Sequence, residues 1–128
     1  MSTTGLQLRS LISKSGELEL SLAKVEVPEP GPDQVVVKVE ATPINPSDLG
    51  LLLGPADMSA ATTSDSGEST VVKAKVSQAA LPFLAARLYQ AMPVGNEGAG
   101  TVIKAGSSEA AQALMGKTVS MVGGSMYA

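Results

Sequence analysis

Gln34-Val35-Val36-Val37-Lys38-Val39-Glu40 is the stretch on which the fold turns. Val35, Val37 and Val39 fall on one face of an extended chain, while Val36, Lys38 and Glu40 take the other. That period of two, in β-branched residues, predicts a strand. Just upstream, Val27-Pro28-Glu29-Pro30-Gly31-Pro32 holds three prolines, which lack the N–H that a ladder requires, so an extended connector is expected there. Before it, Leu18, Leu20 and Leu22 alternate with Glu17, Glu19 and Ser21 behind a Ser15-Gly16 turn, which predicts a second strand. Downstream, Ala41-Thr42-Pro43-Ile44-Asn45-Pro46-Ser47-Asp48 breaks the pattern. Ser47 or Asp48 is the expected cap of a short helix over Leu49 to Leu53, closed by Gly54-Pro55.

Further along, Asp57 to Thr70 is dominated by Ser, Thr, Asp and Gly and reads as a surface loop. Val71 to Val76 is strand-like. Leu81, Leu84, Ala85, Leu88 and Met92 stand at helical spacing behind Pro82, which predicts a helix over about 82 to 92, stopped by Pro93. Gly95 to Gly106 and Lys117 to Val122 read as strands. Between them, a helix from Glu109 to Met115 is capped by Ser107 or Ser108. No internal repeat or domain boundary interrupts residues 1–128. The expected class is mainly β with short helices, an α+β arrangement.

Composition removes whole classes of chemistry. The chain has 128 residues, no cysteine and no histidine, so it offers no disulfide framework, no Cys/His zinc site and no Ser-His-Asp or Cys-His nucleophile. With 9 basic and 12 acidic residues, a net charge of −3 and no Lys/Arg cluster, nucleic acid and anionic membrane surfaces are not expected partners. No apolar run is long enough to cross a bilayer as a helix, and a cytoplasmic location is the expectation. A hydrophobic fraction of 44% is enough to build a packed core.

Several motifs carry candidate chemistry. In Gly95-Asn96-Glu97-Gly98-Ala99-Gly100 the glycines are spaced three then two, the reverse of the dinucleotide fingerprint, and Thr101-Val102-Ile103 after them forms a strand rather than a helix. Small residues for a bulge or a close backbone approach are the expected reason for the run. Asn45-Pro46-Ser47-Asp48 has two open readings. It is an Asn-Pro turn feeding a helix, or it presents the Asn45 amide and the Asp48 carboxylate to a cleft, where an amide orients a carboxamide or carbonyl and a carboxylate holds a hydroxyl or a water. Glu97 is expected to pair with a cation or a backbone donor, or else to line a site. Tyr89 and Tyr127 are the only phenols. Tyr89 lies beside the apolar helical stripe, and Tyr127 follows a Gly-Gly turn with nothing local to fix it.

Taken in order, Gly31-Pro32-Asp33-Gln34-Val35 to Val39, Ala41 to Asp48, Pro93 to Val102 and Gly116-Lys117-Thr118-Val119 resemble the medium-chain dehydrogenase/reductase superfamily, in its zinc-independent quinone oxidoreductase and enoyl reductase branch. The resemblance implies the N-terminal part of a catalytic domain, a GroES-like, partly open and incomplete antiparallel β-barrel, with the Rossmann cofactor domain outside this chain. It implies hydride transfer from NADPH or NADH to a quinone or an activated C=C bond, without zinc. Where zinc-dependent relatives carry Cys and His, this chain has the Asn45 to Asp48 turn and Asn96. By the same resemblance, Asn45 and Asp48 line the cleft, with Asn45 near the nicotinamide, and Tyr127 is grouped with Asn45 at the cofactor. Related quinone reductases have an aromatic residue two places after the acid, where this chain has Gly50. The enoyl thioester reductases, whose Gly-Asn-Glu-Gly run is similar, place a proton-donating tyrosine in the segment where Tyr89 is the candidate, which joins Asn45 and Asp48 as a catalytic expectation. By the same resemblance this chain is a fragment expected to show no turnover alone, and a homo-oligomeric full-length protein is left open. The rival expectation is a freestanding, non-catalytic GroES-like module.

Overall fold

A computed structural model describes residues 3–65 and 70–127. It is mainly β, with two antiparallel sheets, two short α-helices and a 3₁₀ segment; no closed barrel is present among the described residues. β1 (Thr3–Ile12) and β2 (Glu17–Val27) form a long hairpin in unbroken register from Thr3 opposite Val27 to Ile12 opposite Leu18. β3 (Val35–Ala41) follows the proline connector, and α1 (Pro46–Leu52) follows the Asn-Pro turn. Next come β4 (Ala56–Ser64), β5 (Val71–Val76), the 3₁₀ segment Gln78–Arg87 and the two-residue β6 (Met92–Pro93). β7 (Glu97–Ala105), α2 (Glu109–Ala113) and β8 (Thr118–Val122) complete the order. The larger sheet runs β4-β5-β2-β1-β6 and the smaller β3-β7-β8.

The main core belongs to the larger sheet. Ile12 and Leu18, neighbours across the hairpin, are fully buried with Ala74 and Val76 of β5, and Leu81, Leu84 and Leu88 pack over them. Complete burial of a side chain such as Ile12 or Leu18 stabilises by about 1.5–3 kcal/mol. The three leucines reach this core from a 3₁₀ turn rather than the expected helix over 82 to 92. Pro82 sits inside that segment and supplies no N–H, the tighter turn keeps residues three apart on one side, and Leu88 is already extended and bridged to Ile12. Met92, expected as the last helical residue, instead pairs with Ser10 in β6.

The expected loop over Asp57 to Thr70 is in large part a strand. β4 pairs antiparallel with β5 on both sides of an irregularity between Asp57 and Thr62. Backbone pairing does not require buried side chains, and an edge strand of Ser and Thr with Ala56, Met58 and Ala61 turned to the core satisfies both faces. Residues 66–69 of the expected loop lie outside the described residues. β1 has no counterpart in the sequence reading.

In the smaller sheet the Val35 to Val39 alternation holds. The register between β3 and β7 shifts twice, between Val36 and Val37 and again between Val39 and Ala41, and Gly100 lies where any Cβ would run into the Lys38 carbonyl. The glycine run therefore serves a close backbone approach at a bulge. α2 starts at its expected cap, with Ser108 Oγ accepting from Ala111 N–H at 3.1 Å.

Candidate functional site

The site is built around α1. Its first residue is Pro46, and the N-cap position belongs to Asn45, two or three residues earlier than the Ser47 or Asp48 expected from the sequence. Asp48 is the third helical residue, and its Oδ2 accepts from the Asn45 N–H at 2.9 Å, the reciprocal half of a capping box. Its other oxygen, Oδ1, accepts from the Asn96 N–H at 3.1 Å and from Asn96 Nδ2 at 2.9 Å. Asp48 is 1% exposed, so three N–H groups take the place of water around a buried carboxylate. Asn96 Nδ2 also reaches Ser47 Oγ at 3.3 Å.

This arrangement leaves the Asn45 side chain for another partner. Its Nδ2 donates to Glu97 Oε2 at 2.9 Å, a contact between residues 52 apart in sequence. Glu97 is exposed; its partner is a side-chain amide in place of the cation or backbone donor of one expected reading, and it lines a cleft as the other reading has it. The bond fixes which way round the Asn45 amide sits. Of this amide–carboxylate pair, Glu97 lines a cleft of about 450 Å³ together with Pro43, Ala99, Ser120 and Met121, and Asn45 reaches that cleft only through its bond to Glu97.

Tyr127 joins the same neighbourhood through bonds that no local sequence pattern announces. Its N–H donates to Val94 O at 3.0 Å, its carbonyl accepts from Leu8 N–H at 2.8 Å, and its Oη donates to Pro43 O at 3.1 Å, two residues before Asn45. Gly95, at φ +103°, passes so close to the Tyr127 ring that a side chain there would collide with it. Lost hydration, and after it the negative charge of Asp48, raise the Tyr127 phenol above its ordinary pKa.

Of the four residues singled out from the sequence, the structure brings together Asn45, Asp48 and Tyr127. Tyr89 lies elsewhere: its N–H donates to Ile12 O at 2.9 Å, and its exposed ring has Lys14 Nζ 5.6 Å from the centroid. It adopts φ +60° just beyond the 3₁₀ segment, not the helical position expected. The buried position of Asp48 also separates its role from that of Asn45. With both oxygens engaged by protein N–H groups, the carboxylate ties the Asn-Pro turn to the start of β7, and Asn45 and Glu97 are the groups a ligand can reach. Asn96, noted from the sequence only as standing where zinc-dependent relatives carry His, is not expected there as the partner of Asp48. Locally it is an amide in a glycine run, and its partner is 48 residues away.

Among the described residues, no group of three or more His, Cys, Asp or Glu side chains is placed to hold a metal ion, and no helix is long and apolar enough to cross a membrane. The chain matches no protein-family model and no curated protein.

Proposed function

We propose that this chain is the substrate-side part of a cytoplasmic, zinc-independent NAD(P)H-dependent oxidoreductase that reduces a quinone or an activated C=C bond. The observation that carries the reading is the Asn45–Glu97 pair, held by a buried Asp48 and neighboured by Tyr127. In that reading the mainly β fold is a GroES-like catalytic domain, and the cofactor is held mainly by a separate domain. A nicotinamide carboxamide needs both a donor and an acceptor, and a primary amide of fixed orientation offers both. The residues present therefore fit the group.

When bound, the reduced nicotinamide supplies a hydride, and the acceptor takes up one further proton. The protein's own part is orientation and electrostatics. Asn45 would hold the carboxamide, and Glu97 holds Asn45. The Tyr127 O–H, donated to Pro43 O, pins the turn that carries Asn45, and the second N–H of the Asn45 amide is the donor left for a ligand. With no cysteine or histidine in the sequence, charge developing on the acceptor oxygen is met by such dipoles. Because Tyr89 meets Ile12 and Lys14 instead of this cluster, a quinone or simple enone is favoured over an enoyl thioester requiring that phenol as proton donor.

The test is a side-chain amide NMR titration of the isotope-labelled chain with NADPH and, separately, with a water-soluble benzoquinone. The Asn45 and Asn96 NH₂ signals are expected to shift with ligand, and Asn45→Ala to weaken binding about tenfold, the loss of one good hydrogen bond. Shifts confined to residues remote from Asn45, or none with either ligand, would overturn the proposal.

A further inference from the structure

The best strand in the sequence is also the least covered. Among the described residues β3 pairs only with β7, which leaves its other edge open. A cleft of about 710 Å³ runs along it, lined by all five residues from Val35 to Val39. Successive side chains of a strand point to opposite faces, so a cleft touching five in a row lies against the strand's edge rather than one face. The opposite wall is apolar, with Leu6, Val25 and Val27. β3 carries no proline, and Lys38 is the one cation that guards its edge.

We propose that this edge is an interface between two copies of the chain, with β3 pairing antiparallel to the partner's β3 about a twofold axis. The chain exposes 7726 Å², roughly 1,400 Å² more than the roughly 6,300 Å² expected of a folded monomer of 12.9 kDa. That excess has room for the separate domain of the proposed function as well as for a stable dimer, at about 800 Å² per partner, and the self-complementary charges of β3 point to a second copy at this edge. Charge selects the register. Centring the pair on Val39 sets Lys38 opposite the partner's Glu40 twice over and Val37 opposite the partner's Ala41. Centring it on Lys38 would oppose two ammonium groups. Glu40 is the extra residue of β3 at the second register shift, and its Oε1 accepts from Thr101 Oγ1 at 3.1 Å. Thr101 is the β7 residue paired with Lys38, so both charges stand on the same side of the strand. A twofold, self-complementary edge contact of this kind closes at two copies.

Sedimentation velocity of the chain across a dilution series tests the proposal. The wild type is expected to move from monomer to dimer. Lys38→Glu and Glu40→Lys, each placing like charges opposite one another twice, are expected to weaken the dimer about tenfold or more, and the double exchange to restore it to within about threefold. A monomer at every concentration would overturn the proposal, as would larger assemblies without a dimer or single reversals that dimerise like the wild type. If a variant fails to fold, hydrogen exchange on the wild type decides: amides of Val35 to Ala41 gain protection with concentration if the interface forms, and do not if it is elsewhere.

Discussion

α1 is held at both ends by buried polar groups, and the two ends are built for different work. At its C-terminus, Arg87 Nη1 donates to Leu51 O at 2.9 Å and Ser10 Oγ donates to Leu52 O at 2.8 Å, while Arg87 Nη2 donates to Ser10 Oγ at 3.0 Å. A cation and a hydroxyl there answer the carbonyls that a helix end leaves unpaired, with the charge on the favourable side of the helix dipole. Burial lowers the Arg87 pKa, and its Nε has no partner among the described residues. The other donors at that end are committed to the fold. At the N-terminus, Asp48 is as buried as Ser10, yet one residue it fixes, Asn45, is half-buried and turns its side-chain amide to the exposed Glu97. One end anchors the helix to the main core, and the other uses the helix to aim an amide.

Breaking the two ends separately distinguishes them. Asp48→Ala leaves the Asn45 and Asn96 backbone N–H groups without acceptors, and a loss of about 3 kcal/mol in urea unfolding is expected. Retention of wild-type stability would show that the three hydrogen bonds do not form. Arg87→Met keeps the aliphatic stem but removes two donors, and about 2 kcal/mol is expected to go. The contrast lies at the far end: Arg87→Met should leave the Asn45 side-chain amide signals in place, while Asp48→Ala should shift them. If both variants move those signals equally, the ends are coupled and the division of labour fails.

How much of this was legible depends on how local the cause is. β2, β3 and β7 were readable because alternation and β-branching are decided within a few residues, and α2 because Ser108 caps its own helix. β1 was not, since its side chains from Gly5 to Arg9 are all half-buried and the two-residue rhythm is blurred. β4 was hidden for a related reason: its stability comes from pairing with β5, which Ser and Thr do not advertise. In the site, Asn45 and Asp48 stood out because a proline between them makes a turn visible. Asn96 and the anchoring of Tyr127 depend on contacts across 48 and 84 residues, where sequence spacing carries no signal.

The smallest expected effect gives the sharpest view of the N-terminal end. Tyr127 has a raised pKa from lost hydration first and the Asp48 charge second. Asp48→Asn removes the charge but keeps the side-chain shape, so the phenol should titrate at lower pH than in the wild type, though still above the ordinary value of about 10 because the burial contribution remains. Tyrosine ¹³Cζ shifts followed into the alkaline range report each ring separately. For a group whose folded pKa lies above its unfolded one, the stabilising contribution is complete below about 10 and is lost as pH rises through the folded value. Wild-type stability should therefore fall across that alkaline window, Tyr127→Phe should flatten the fall, and Arg87→Met should leave it unchanged. A Tyr127 titration identical in Asp48→Asn and wild type would mean that the carboxylate does not act on the phenol, and that the N-terminal end of α1 organises Asn45 alone.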